Sequence, residues 1–261
     1  MAQEIRFDNG AAYERYMGRW SQLVGAAFLD WLAPARGLRW LDVGCGNGAF
    51  TELFATRCAP AAIAGIDPAE PVLDYARSRP ALRGARLLQG DAMALPFPDA
   101  SFEVTVMPLV IFFVPDPAKG VAEMARVTAP GGLVTAYGWD MIGGGFPYSA
   151  VRDELCDMGF TPPETPSRDA SQPDVMRGLW QAAGLADIRS RTFTVERTFA
   201  DFDDYWTTVL GGPATSGTLR TLRPESIAEL QARLRRRLPA DAAGRITYRA
   251  QATAIKGVAP A

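Results

Sequence analysis

The chain has 261 residues, 48% hydrophobic and 21% charged, with a net charge of −2 and no histidine. Six tryptophans and thirteen phenylalanines can fill a sizeable core, which excludes a disordered chain, and the charge balance leaves no global basic field for nucleic acid or anionic lipid. Without histidine, both the commonest metal ligand and the commonest general base are missing. Cys45, Cys58 and Cys156 are odd in number, far apart and without a CxxC pair, so neither a disulfide framework nor a metal site is expected. The N-terminus lacks an apolar signal-like region and no run of about 18 apolar residues occurs, which points to a cytoplasmic protein with no membrane span.

Taken in chain order, Tyr16, Trp20, Leu23, Ala27, Phe28 and Trp31 recur at spacings of three and four, the apolar face of a helix over 13–32. Apolar strands are expected at about 38–43, 61–66, 85–89, 102–107 and 133–137, with helical periodicity between them, as at Val72, Leu73 and Ala76 or Val121, Met124 and Val127. Strands recurring with intervening helices imply βαβ units, hence an α/β fold with a doubly wound parallel sheet. A turn-rich stretch at 161–173 precedes a helix near 173–183. An alternating strand follows at 187–199, then helices near 201–210 and 224–238, and an alternating strand in "RITYRAQATAIKG". Two such alternating strands form an antiparallel pair most easily at the edge of the sheet. The basic run "RLRRRL" (233–238) reads as a solvated helix face with Leu234 and Leu238 turned inward, or as a local basic patch. One domain over 1–261 is expected: an N-terminal helical segment (1–36), a cofactor-binding core (37–140) and a C-terminal half (141–261) with a helical insertion at about 200–243.

The stretch "RWLDVGCGNGAFTELF" (39–54) carries a strand into a glycine turn and a helix, the place where open α/β sheets bind ligands. Gly44, Gly46 and Ala49 also satisfy the dinucleotide pattern G-x-G-x-x-G/A, so an NAD-dependent oxidoreductase is an alternative. Asp42, two residues before the first glycine, is a poor neighbour for a pyrophosphate and a good one for a cationic amino group. Asp67, ending the second strand, suits ribose hydroxyls in either case. Asp91, past the third strand, suits an exocyclic adenine amine, and Met93 could pack on the ring.

"LDVGCGNG", "GID", "GDAMALPFPDASFEV", "FVPDP" and "EMARVTAPGG" stand in order over 39–132. They resemble the successive motifs of class I S-adenosylmethionine-dependent methyltransferases, in the methyltransferase type 11 branch that includes the ubiquinone and menaquinone biosynthesis enzymes. The resemblance implies a Rossmann-like seven-stranded sheet with the last strand antiparallel. It also implies S-adenosyl-L-methionine as cofactor and methyl transfer to a small molecule, with a protein that binds the cofactor or its product without transfer as the alternative. Position by position, it implies the methionine part against Asp42, Gly44, Cys45 and Gly46, with Gly48 at the helix start. It implies the ribose on Asp67, the adenine between Pro68 and Asp91, Ala92 and Met93, and Met107 on the wall nearest the sulfonium. Tyr13 or Tyr16 would close over the cofactor from the N-terminal helix, a core role for them being equally open.

Many relatives carry a histidine pair before the "VPDP" turn, where this chain has Phe112 and Phe113. The remaining candidates for a proton-handling role follow the fifth strand: Tyr137 at its end and Asp140 on the glycine-rich loop beyond, either as base or as a helix-capping loop acid. Tyr205 and Trp206 are candidates to roof the substrate or to join the core. The methyl acceptor and the oligomeric state are not legible.

Overall fold

The computed structural model describes residues 14–260. A π-helical turn (Glu14–Gly18) leads into α1 (Arg19–Leu32), which buries Trp20, Val24, Phe28, Leu29 and Leu32; of the expected face, Tyr16, Trp20 and Phe28 are buried while Leu23, Ala27 and Trp31 are half-buried against the core. Strand and helix then alternate: β1 (Arg39–Val43), α2 (Ala49–Cys58), β2 (Ala62–Asp67), α3 (Glu70–Ser78), β3 (Arg86–Gln89), β4 (Phe102–Pro108), α4 (Pro117–Val127) and β5 (Thr128–Trp139). β1 and β4 are buried along almost their whole length, because helices cover both faces of the sheet and leave no face for polar alternation.

The chain continues through α5 (Ser149–Asp157), α6 (Pro173–Ala182), β6 (Ala186–Phe199), α7 (Phe202–Val209), α8 (Pro213–Leu219), α9 (Pro224–Arg237) and β7 (Ile246–Val258). The seven strands form one sheet in the order β3-β2-β1-β4-β5-β7-β6, with β7 antiparallel to both neighbours. This is the expected doubly wound Rossmann-like sheet, closed at its edge by the antiparallel pair. β6 lies outermost and buries only alternate side chains near its end, Phe193, Val195 and Phe199; Arg189 and Arg191 are exposed, while Arg197 is half-buried over the Phe199 ring and donates to the Arg15 carbonyl at 3.1 Å.

α5 stands where a helix starting near Pro147 is one expectation, and α8 falls within the expected helical insertion without being anticipated as a separate helix. The short "PATSGTL" of α8 contains Gly, Ser and Thr, poor helix formers that give the sequence no helical signal. The basic run lies on α9 and is a solvated helix face. Arg233 pairs with Glu229 at 2.7 Å, Arg237 with Asp153 at 2.5 Å, and the Arg235 guanidinium sits 4.0 Å from the Phe202 ring centre, while Leu234 is buried.

On the opposite side of β5, α6 buries Trp180 completely, and its indole N–H donates to the Val134 carbonyl at 2.9 Å. Replacing so large a buried ring leaves a cavity and an unpaired carbonyl. Trp180→Ala is therefore expected to lower unfolding stability by about 3–5 kcal/mol, read as a lower urea midpoint; a loss below about 1 kcal/mol would show that α6 does not support the sheet.

Candidate functional site

Strand order reverses between β1 and β4, and the turns after both strands leave a crevice outside their carboxyl ends. A cavity of about 130 Å³ lies there. Its walls are the glycine turn (Gly44, Cys45, Gly46 and Asn47), Asp67 and Pro68 after β2, Pro108 to Val110 after β4, and Tyr137 of β5. Gly44 and Gly46 have φ of +78° and +51°, so the turn closes only with residues that tolerate the left-handed region. A side chain at 44 would also strike Val110, with Cβ 2.4 Å from its Cγ2.

Asp67 is held by two backbone donors: Gly46 N–H reaches Oδ2 at 2.9 Å and Ala69 N–H reaches Oδ1 at 2.9 Å. Each oxygen keeps acceptor capacity for a ligand hydroxyl. Burial pushes the Asp67 carboxyl above its ordinary range, against the pull of those two N–H groups. Asp42 lies directly beneath the turn, fully buried, with Thr51 of α2 donating to Oδ2 at 2.7 Å and no partner for Oδ1. Burial raises its carboxyl to about 7, against the Thr51 hydrogen bond and with help from the Asp67 charge. The Tyr137 hydroxyl, also fully buried, has no partner either; burial, and then the charge of Asp42, push it well up. An unpaired carboxylate oxygen and an unpaired hydroxyl at a glycine cradle fit a ligand with a cationic amino group and hydroxyls, as S-adenosylmethionine is.

A second cavity, of about 140 Å³, adjoins the first, and Leu109 and Phe113 line both. Leu109 has φ of +61°, a strained backbone for a branched residue, and its N–H is fixed by the Tyr137 carbonyl at 2.7 Å. The second cavity is walled mainly by rings and aliphatic side chains, among them Tyr16, Met17, Phe112, Trp139, Phe146 and Tyr148. Tyr16 and Tyr148 stack at 4.3 Å, and the Tyr148 hydroxyl is occupied, donating to the Tyr16 carbonyl at 2.7 Å and accepting from Trp20 at 3.1 Å. Its charged lining groups are matched: Glu164 pairs with Arg152 and Arg168, and Asp153 with Arg237.

Among the expected site residues, Gly44, Cys45, Gly46, Asp67, Pro68 and Tyr137 come together in the first cavity, with Asp42 beneath them. Cys45 is a buried packing group there, and burial, ahead of the charges of Asp42 and Asp67, raises its thiol well above the usual range. Other expected residues lie outside this cavity's lining. Gly48 stands at the start of α2, as expected, and its α-carbon faces Leu82, Ala76 and Arg79. Met107 is fully buried and lies on the Gly120 side under α4, so Pro108, Leu109 and Val110 form that wall instead. Asp91, Ala92 and Met93 do not line the cavity: Asp91 is exposed and caps its own turn, accepting from Met93 N–H at 2.8 Å.

Tyr16 walls the second cavity, not the first, and Tyr13 lies outside the described residues. Asp140 lines neither cavity. Its Oδ1 accepts from Gly143 N–H at 2.7 Å, Ile142 N–H at 3.3 Å and Gln172 Nε2 at 3.0 Å, so it is a loop-capping acid. Tyr205 belongs to the core, 5.2 Å from the Phe199 ring, while Ala214 and Thr215 of α8 reach the second cavity. Ser21, Asn47 and Val110 were not anticipated: they are bland in sequence, and only the fold brings them to the first cavity, which Phe113 also lines. Among the described residues, no group of three or more acidic or cysteine side chains is placed to hold a metal, and no helix is long and apolar enough to cross a membrane.

The raised Asp42 carboxyl has a consequence for stability. A folded-state value of about 7 lies above the ordinary carboxylate range, so the unfolded chain loses this proton first and stability falls as pH rises from about 4 to about 7. Asp42→Asn is expected to remove this part of the pH dependence and to be the more stable protein above pH ~7 in ligand-free melts. Parallel melting curves for the two proteins across that range would show that Asp42 is not held in its neutral form.

A family profile described as "Methyltransferase domain" matches residues 41–136. A rice protein named 2-methyl-6-phytyl-1,4-hydroquinone methyltransferase 2, chloroplastic, is 37% identical over 113 residues, 42% of this chain and 32% of that protein. A Staphylococcus aureus demethylmenaquinone methyltransferase is 37% identical over 101 residues, 38% of this chain and 42% of that one. The chain thus spans less than half the length of these curated relatives. Among solved structures, the Bacillus subtilis YcgJ protein shares the fold with a TM-score of 0.61 at 20% identity, over 91% of this chain and 99% of that one. A Haemonchus contortus phosphoethanolamine N-methyltransferase 2 solved with S-adenosyl-L-methionine shares it with a TM-score of 0.59 at 17% identity, over 96% of this chain and 56% of the other. Residues 41–136 therefore match a methyltransferase domain, set in a seven-stranded sheet whose fold the chain shares with these solved structures.

Proposed function

We propose that this protein moves a methyl group from S-adenosylmethionine to a largely apolar, ring-bearing small molecule held in the second cavity. The observation that carries this reading is the pair of adjoining cavities with a common wall at Leu109 and Phe113, one cradled by glycines and carboxylates and the other by rings. Asp67 would take the ribose hydroxyls and Asp42 the amino group, directly or through a water, while Gly44 and Gly46 let the backbone approach closely. Bound there, S-adenosylmethionine supplies a methyl group on an already activated carbon.

Nothing on the shared wall accepts a proton, since Leu109 and Phe113 have none of the needed chemistry. Both carboxylates that line the second cavity, Asp153 and Glu164, are tied to arginines. The protein's part is alignment in a dry, ring-lined space, and alignment contributes up to about 7–11 kcal/mol in favourable intramolecular cases. The acceptor must then present a nucleophile that needs no protein base, such as an ionised hydroxyl or a carboxylate. The relatives whose names specify a hydroquinone and a demethylmenaquinone support a ring-bearing acceptor.

Calorimetry is expected to give micromolar binding of S-adenosylmethionine and S-adenosylhomocysteine and much weaker binding of NAD. Incubation with methyl-labelled S-adenosylmethionine and a panel of hydroquinones, phenols and apolar carboxylic acids is expected to transfer label to at least one of them. Tight NAD binding with no response to either sulfur nucleotide would overturn the reading; nucleotide binding without transfer to any acceptor would reduce it to a binding protein. Asp67→Ala is expected to weaken S-adenosylhomocysteine at least about tenfold in a protein with unchanged circular dichroism, since it removes charge-assisted bonds of about 1.5–3 kcal/mol each. An unchanged dissociation constant would move the ribose elsewhere.

A further inference from the structure

Behind the glycine turn lies a cluster of charged side chains that the proposed reaction does not use. Arg79, just past the end of α3, is almost wholly buried and is met from three sides. Its Nε donates to the Asn47 carbonyl at 2.6 Å, its Nη1 pairs with Glu52 at 2.6 Å, and its Nη2 pairs with Glu14. Glu14 closes the ring, because the same Oε2 accepts from the Asn47 side-chain amide at 2.6 Å.

Two glycines make this cluster fit. A Cβ at Gly48, where φ is +77°, would sit 3.3 Å from Arg79 Cδ, and one at Gly18 would sit 2.5 Å from the Glu14 carboxyl carbon. Asn47 lines the first cavity within the glycine turn. Glu14 begins the π-helical turn that carries Tyr16 and Met17, walls of the second cavity, and continues into α1, whose Ser21 reaches the first. One short helical segment therefore touches both cavities, and Glu14 ties it to the turn that would hold the nucleotide.

We propose that Glu14 is a positioning residue that couples occupancy of the first cavity to the docking of segment 14–18 as a wall of the second. The proposal rests on the reading of the first cavity as the S-adenosylmethionine site. The glycine turn has the backbone freedom that glycine confers, so a nucleotide bound against it restricts Asn47. A restricted Asn47 presents its amide to Glu14 more of the time, and the docked state of the segment gains population. By reciprocity, a docked segment holds the nucleotide more firmly. The acceptor cavity is then complete mainly when the methyl donor is in place, which favours binding the donor first.

Trypsin reads this directly, because Arg15 and Arg19 are exposed while the peptide bonds that follow them are cleavable only when the segment opens. Cleavage after these residues is followed by mass spectrometry for wild type and Glu14→Ala, each without ligand and with saturating S-adenosylhomocysteine. In wild type the nucleotide is expected to slow cleavage at least about tenfold, within the usual range of coupling between sites. In Glu14→Ala, cleavage is expected to be fast in both states, with a ratio below about two. A merely structural role for Glu14 would speed both rates by the same factor and leave the ratio at its wild-type value, which would overturn the proposal. A wild-type ratio near one with the nucleotide bound would overturn it too. Failure of S-adenosylhomocysteine to bind wild type, checked by calorimetry, would instead overturn the reading of the site on which the proposal rests.

Discussion

The parallel register of β1 between β2 and β4 is the constraint on which the site depends. It sets Asp42 beside Gly65 on one side and Val106 on the other, so the carboxylate arrives at the sheet's edge already deep in apolar surroundings. The next residues must turn sharply over it, and the glycine turn does so at positive φ. Because β1, β2, β4 and β5 all run the same way, Asp67, Leu109 and Tyr137 emerge at that same edge, each within a few residues of its strand's end. A buried carboxylate oxygen without a partner costs stability, on the order of 1–3 kcal/mol or more for a charged group. That cost is consistent with a ligand whose cation satisfies it.

Much of this was legible in the sequence because strands buried on both faces read as continuous apolar runs, and glycines at alternate positions read as a turn. Asp42 and Asp67 were found because acids interrupt apolar strand ends. The antiparallel closing pair was visible in the period-two alternation of 187–199 and 246–254. What escaped was whatever depends on direction and distance. Met107 and Leu109 are both apolar residues near the end of β4, yet one is buried toward α4 and the other lines both cavities. Asp140 has the composition of a base, and only its three donors identify it as a cap. Arg79 carries no signal in the sequence, since nothing local announces that Glu14, Glu52 and the Asn47 carbonyl converge on it.

The N-terminal segment shows how one feature of sequence serves two physical ends. Tyr16 and Trp20 carry the helical period that predicts a core face, and both are indeed buried. Yet Tyr16 also stacks on Tyr148 in the second cavity, and Trp20 donates to the Tyr148 hydroxyl whose proton is given to the Tyr16 carbonyl. Core packing and cavity wall are the same atoms here, so the odds between a structural and a functional role for Tyr16 had no single answer. A wall of this kind is shaped by packing, and its shape changes if the segment shifts.

The absence of histidine finds its place in that arrangement. A base in a ring-lined cavity would have to be buried to act and hydrated to keep its charge, and both available carboxylates, Asp153 and Glu164, are instead neutralised by arginines. The two phenylalanines before the "VPDP" turn continue the same choice: their rings stand 4.8 Å apart, and Phe113 faces both cavities at once. Apolar side chains at the junction of the two cavities exclude water, which strengthens electrostatic interactions there and removes water as a competing nucleophile. For a transfer whose electrophile is already activated, exclusion and alignment are what the fold has to supply. A site that supplies them needs its walls in register more than it needs a proton carrier. That requirement explains why the strain at Leu109 is kept at the junction, where its backbone is pinned to the same strand that carries Tyr137.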